Sequence, residues 1–295
     1  MRLRRAIEIL GLSVITIVVG CDGQSIEPES TVVQSIPVVA TTLPMSTTTT
    51  LSLSTSVAVS QQSMVGVYFM KDELISVMGR LVETPDIDQA LHSLLLGPNA
   101  VEIQDGVVSY IPQGTRLLDI KVVGGTALID LSNEFATGGG SLSMMGRIAE
   151  VVYTATAFSE VERVTIRIGG VLVSQIGGEG IDVSDIGRSD FVDFSSLILV
   201  DSPVPGQVVS RDIRIQGMSN TFEAGINYQI ISSDSTVIHE GYTMATSGTG
   251  TWGTFDHMIE TLPADVNGEV VLKVFEYSPK DGEPINAILI PLTIE

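Results

Sequence analysis

Thr84-Pro85-Asp86-Ile87-Asp88-Gln89-Ala90-Leu91-His92-Ser93-Leu94-Leu95-Leu96-Gly97-Pro98 is the stretch that organises the first half of this chain. Ile87, Leu91, Leu94 and Leu95 recur at helical spacing and fall on one face. Thr84 reads as the N-cap with Pro85 at the first helical position, and Gly97-Pro98 stops the helix. A helix with one apolar face needs a surface to pack on. Upstream of it, residues 65–69 read as a β-rich run and residues 74–82 as a second strand.

Downstream, Ile111-Pro112-Gln113-Gly114-Thr115 is a turn, and strand candidates 117–123 and 126–131 are separated by Gly124-Gly125. Gly138-Gly139-Gly140 leads into a second helix from Ser141 to about Phe158, with Leu142, Met145, Ile148, Ala149, Val152 and Thr156 on one stripe. Residues 161–168 and 171–175 then form a hairpin around Gly169-Gly170, the two-glycine turn that primed geometry favours. Local strand pairs and two packed helices predict an α+β domain, an antiparallel sheet with two helices, over residues 64–194.

From residue 195 to 295 the character changes. Strand candidates at 197–200, 212–216, 226–231, 237–240, 253–256, 269–275 and 285–294, with turn residues between them, predict an all-β immunoglobulin-like sandwich. With one cysteine in the whole chain, no intersheet disulfide closes it. Both domains are held by burial.

Val67-Tyr68-Phe69, Leu94-Leu95-Leu96-Gly97-Pro98, Ile111-Pro112-Gln113-Gly114-Thr115, Asp130-Leu131-Ser132, Val152-Tyr153-Thr154 and Arg188-Ser189-Asp190-Phe191 follow one another in order across the first domain. Together they resemble the landmarks of the GerM (GerMN) domain of sporulation and spore-germination lipoproteins. Ser202-Pro203-Val204-Pro205-Gly206, Gln216-Gly217, Phe222-Glu223 and Asp281-Gly282 resemble the immunoglobulin-like domain that commonly follows such a module. The resemblance implies a non-enzymatic envelope protein whose ligand is not established.

The N-terminus says where such a module would sit. Arg2, Arg4 and Arg5 precede a short apolar run from Ile9 to Val19, and then Val18-Val19-Gly20-Cys21 holds the single cysteine. A basic segment, an apolar segment within about 7–15 residues and a small residue at the exit make a secretory signal. The run is shorter than the roughly 20 residues needed to span a bilayer. Its ending resembles a lipobox, which implies a signal peptide over residues 1–20, cleavage before Cys21 and a diacylglyceryl thioether on Cys21. The expected location is the extracytoplasmic face of the cell membrane, with the membrane itself as partner through the lipid. Residues 21–63, dominated by Ser and Thr and including Thr47-Thr48-Thr49-Thr50, cannot bury enough apolar surface to offset ordering and are expected to form a disordered stalk.

The chain carries 15 Lys+Arg against 35 Asp+Glu, a net charge of −20; removing three arginines and Glu8 with the signal takes it to −22. That excess argues against nucleic acid, whose phosphates need a basic footprint, and against adsorption to anionic lipid head groups. His92, His239 and His257 share no element with metal spacing. Asp182, Asp185, Asp190 and Asp193 do not follow the alternating oxygen pattern of a calcium loop. There is no Gly-x-Ser-x-Gly elbow and no phosphate loop ending in Gly-Lys-Ser/Thr. No catalytic residue, metal or cofactor is therefore assigned. The expected function is a non-catalytic envelope binding or assembly module for an envelope protein or peptidoglycan, the alternatives being a peptidoglycan hydrolase or a solute-binding lipoprotein. Tyr242, Trp252 and Phe255 on the sandwich are the candidate partner-binding aromatics.

Overall fold

The structure, a computed structural model, describes residues 62–260 and 262–295. The signal, Cys21 and all of the stalk but its last two residues lie outside the described residues. The first lobe opens with β1 (Ser63–Lys71) and β2 (Leu74–Val82), an antiparallel pair extended by the two-residue β3 (Val107–Val108). Val67, Tyr68, Phe69 and Met70 on β1 are all buried, so this strand is covered on both faces and reads as a continuous apolar run. One cover is α1 (Ile87–Leu95), which buries Ile87, Ala90, Leu91 and Leu94 as the helical spacing predicts. Truncating any of these leucines to alanine removes about 2–5 kcal/mol.

The N-cap of α1 is Asp86, not Thr84. The Asp86 carboxylate accepts from the Gln89 backbone N–H at 2.9 Å, and a carboxylate at a helix N-terminus also meets the positive end of the dipole. A short α2 (Ala100–Gln104) follows, closed by a capping box between Asn99 and Glu102.

The second sheet contains β4 (Leu117–Val123), β5 (Thr126–Leu131), β6 (Arg163–Ile168) and β7 (Val171–Leu172) in that spatial order. It is not antiparallel throughout: β5 and β6 run parallel. The intervening α3 (Ser141–Ala155) is the reason, because a parallel pair needs a crossover and a 15-residue helix supplies one. Gly169 and Gly170 both adopt positive φ, 57° and 84°, and turn β6 back onto β7 as the two-glycine motif predicts. A small ribbon of β8 (Gln175–Ile176) and β9 (Ile181–Asp182) follows. The helix α3 is fastened by a buried Glu150, whose carboxyl oxygens accept from the Ser109 hydroxyl and the Tyr110 N–H, each at 2.6 Å.

The remaining chain forms two facing sheets. One is β10 (Ile198–Ser202), β12 (Arg214–Ser219) and β15 (Gly253–Met258). The other is β11 (Val208–Val209), β17 (Pro284–Ile294), β16 (Gly268–Tyr277), β13 (Gly225–Ser232) and β14 (Val237–Met244). Alternation decides the faces: Ile226, Tyr228 and Ile230 of β13 and Ile290, Leu292 and Ile294 of β17 point into a common core with Ile215, Leu272 and Val274. The seven expected strands are present. The two-residue β11 joins them, too short to leave a period-two signal.

Candidate functional site

Three of the landmark motifs meet at one point. Tyr68 comes from β1, Tyr153 and Thr156 from α3 and its end, and Arg188 from a 3-10 segment, Arg188–Phe194. Asp201 reaches them from β10 of the sandwich. The Arg188 guanidinium donates from Nη1 to both Asp201 oxygens, at 2.9 and 2.7 Å, and from Nε to the Thr156 hydroxyl at 2.8 Å. Its Nη2 donates to the Tyr153 carbonyl at 3.3 Å. The guanidinium lies 5.5 Å from the Tyr68 ring centre and 4.9 Å from that of Tyr153, within cation–π range of both. The Tyr68 hydroxyl donates to Asp201 as well.

The electrostatics favour a locked, neutral cluster. Burial alone would lower the Arg188 pKa, but the Asp201 charge and the two tyrosines outweigh it and hold it above the ordinary arginine value. Burial, reinforced by the negative charge of Asp201, pushes the Tyr68 hydroxyl well above its usual range, so it stays a donor. Burial likewise raises Tyr153.

Glycines let the sandwich approach this closely. Gly66 and Gly79 are direct cross-strand partners on β1 and β2. A Cβ on Gly79 would stand 2.2 Å from the Pro205 carbonyl oxygen, and one on Gly66 would press on Val204 at 3.1 Å. Leu199, Val204 and Met218 of the sandwich accordingly join the buried cluster of the first lobe. Beside the Arg188–Asp201 pair the two lobes leave an open cleft of about 480 Å³, lined by Thr156, Glu162, Met218, Thr246, Trp252 and Thr254 among others. Clefts of this size at lobe junctions are favoured ligand sites.

The three sequence-chosen aromatics part company here. Trp252 is half-buried at the cleft and packs against the first lobe's core. Tyr242 stands 73% exposed on β14, away from the cleft lining. Phe255 is not a surface residue: it is 3% exposed in the sandwich core. Its cross-strand partner is Gly217, where an added Cβ would lie 2.6 Å from the Phe255 ring, so the glycine opens the space that the ring fills.

The other sequence candidates serve local structure. Asp130 accepts from the Gly170 N–H at 2.9 Å and Ser132 accepts from the Arg116 N–H at 2.9 Å, each tying a strand end to a turn. Asp185 and Asp190 pair with Arg163 at 3.2 and 3.6 Å, and Asp182 accepts from Gln175. His92 sits on an exposed helix face beside Asp88, while His239 and His257 flank Tyr228. Among the described residues, no group of three or more His, Cys, Asp or Glu side chains is placed to hold a metal ion, and no helix is long and apolar enough to cross a membrane. Asp201 escaped the sequence reading; its one signal is an acid ending the apolar run Ile198-Leu199-Val200, 13 residues after a landmark arginine.

Two family models match, one in each lobe. Residues 66–174 match the family described as sporulation and spore germination. Residues 197–283 match the immunoglobulin-like domain of bacterial spore germination. Both segments thus carry the resemblance expected of them, and the α+β and sandwich architectures agree with it. Among solved structures, the tandem GerMN domains of the sporulation protein GerM from Bacillus subtilis are 19% identical with a TM-score of 0.39, over 68% of this chain and 61% of that one. The chain therefore spans about three-fifths of that structure's length. The first GerMN domain alone is 25% identical with a TM-score of 0.35, over 43% of this chain and 99% of that domain. A Clostridium perfringens structure described as a putative lipoprotein is 23% identical with a TM-score of 0.32, over 44% of this chain and 89% of that one. No curated protein matches the chain.

Proposed function

We propose that this chain is a lipid-anchored, non-catalytic envelope module in which a fixed two-lobed head, held to the membrane through Cys21, binds a wall or envelope component in sporulation- or germination-type processes. The observation that carries this reading is the use made of the landmark residues. Tyr68 and Arg188, polar side chains of two landmark motifs, hold Asp201 across the junction, and Tyr153 of a third lays its ring against Arg188. A paired arginine and a protonated tyrosine offer neither a base nor a nucleophile at the cleft; they fix one lobe against the other. The net negative charge, −20 for the chain and −22 once three arginines and Glu8 leave with the signal, suits a neutral or cationic partner.

The test is direct. Purified chain is incubated with peptidoglycan sacculi, and release of soluble muropeptides is measured alongside sedimentation with the sacculi, while crosslinking on intact cells identifies bound proteins. Binding without release is expected. Muropeptide release abolished by one Asp or Glu substitution would overturn the reading in favour of a hydrolase.

A further inference from the structure

The outer face of the five-stranded sandwich sheet carries a second arrangement, independent of the junction. With Ile226, Tyr228 and Ile230 turned into the core, Asn227 and Gln229 of β13 face outward. Strand register sets Tyr242 and Phe275 on either side of Asn227, and Glu240 and Lys273 on either side of Gln229. The Gln229 amide donates to the Glu240 carboxylate at 3.2 Å. Phe275 lies beneath Tyr277, which meets it edge-on with ring centres 5.1 Å apart, and the Lys273 ammonium sits 4.7 Å from its ring centre. Phe275 is thereby buried, whereas Tyr277 is 48% and Tyr242 73% exposed. Between them is an open hollow of about 280 Å³ lined by Asn227, Gln229, Glu240, Tyr242, Phe275 and Tyr277.

We propose that this hollow is a binding site for a neutral glycan chain. The inference rests on the envelope-binding reading above and names the ligand class. Two exposed tyrosine rings give flat apolar surfaces for the C–H face of a sugar ring. Asn227 and Gln229 each present a paired donor and acceptor, and Glu240 an acceptor, the combination that vicinal hydroxyls require. The lining mixes aromatic rings with convergent polar groups, and about 280 Å³ is at the small end of ligand sites, room for a sugar ring rather than a large ligand. The net charge of the chain, −20, disfavours an anionic polymer; at the hollow itself Glu240 and the neighbouring Lys273 balance, which suits a neutral ligand.

Calorimetric titration of the full chain with chitotetraose and maltotetraose, against an anionic oligogalacturonate, tests this. Binding of at least one neutral sugar and none of the anionic one is expected, with Tyr242→Ala and Asn227→Ala each weakening it at least tenfold at unchanged melting temperature. Absence of heat with both neutral sugars at millimolar concentration, or binding untouched by both substitutions, would overturn the proposal. Sedimentation with sacculi separates the two levels. Retention unaffected by Tyr242→Ala removes the hollow and leaves wall binding standing, whereas no retention and no crosslinked envelope protein removes the envelope-binding reading itself. A crosslinked protein partner that depends on Tyr242 assigns the face to protein and also overturns the glycan.

Discussion

Arg188 and Asp201 form a two-pronged ion pair, Nη1 to both carboxylate oxygens at 2.9 and 2.7 Å, between a 3-10 segment of the first lobe and the first strand of the sandwich. Their side chains are 16% and 22% exposed, so the pair is largely desolvated. Removing one partner of such a pair strands the other charge and costs about 3 kcal/mol or somewhat more. Arg188→Ala and Asp201→Ala should each lower urea-unfolding stability by that order, and the double variant should lose clearly less than the sum of the two. Additive losses, or single losses under about 0.5 kcal/mol, would show that the pair does not couple the lobes.

The Gly79–Pro205 approach makes a second expectation. An alanine methyl at position 79 would stand 2.2 Å from a backbone oxygen, which cannot rotate away as a flexible side chain can. Gly79→Ala should cost about 1–3 kcal/mol through overpacking and displace the sandwich from β1–β2. The check is a melt combined with the environment of Trp252, whose fluorescence should shift as the junction opens. A variant with wild-type stability and emission would mean the lobes do not dock there.

Glu150 gives the fold a pH dependence. Burial pushes its carboxyl up from about 4.5 to about 8, against the opposing hydrogen bonds from Ser109 and Tyr110. Between those values the folded chain keeps a proton that the unfolded chain has released, so this group's contribution to stability is present at low pH and drains away as pH rises toward 8. Melting temperatures of wild type and Glu150→Gln across that range should therefore diverge, the wild type falling more steeply with rising pH. Parallel curves would place the Glu150 titration elsewhere.

Phe255 and Tyr242 should behave oppositely despite their similar appearance in the sequence. Phe255→Ala empties a core site and should cost about 3–5 kcal/mol. Tyr242→Ala removes an exposed ring and should stay within about 0.5 kcal/mol of wild type. Chemical denaturation of the two variants decides it.

Cys21 is proposed as the attachment point for the membrane. Cys21→Ala should release the protein into the medium or leave an uncut precursor, as read by fractionation and N-terminal mass. Recovery of processed variant in membranes at the wild-type level would remove the anchor. One acyl chain holds a protein only marginally, so the lipid chains of the modified cysteine are what the anchor depends on.

Local patterns alone determined the longer helices and strands. The apolar stripe of α1, the Gly169-Gly170 turn and the alternation along β13 each express a period or a backbone preference carried by a few neighbouring residues, and these survive in a one-dimensional string. Short-range competition escaped it: whether Thr84 or Asp86 caps α1 depends on which oxygen reaches the Gln89 N–H. So did everything set by distant residues. The parallel β5–β6 pair follows from how α3 packs, and Phe255 is buried because Gly217 on a neighbouring strand leaves room for its ring. Tyr68, Tyr153, Arg188 and Asp201 span 133 positions of sequence, and only tertiary packing brings an arginine, a carboxylate and two aromatic rings within a few ångströms at the lobe junction. Composition and spacing report what a residue prefers; desolvation and partners across the fold decide what it does.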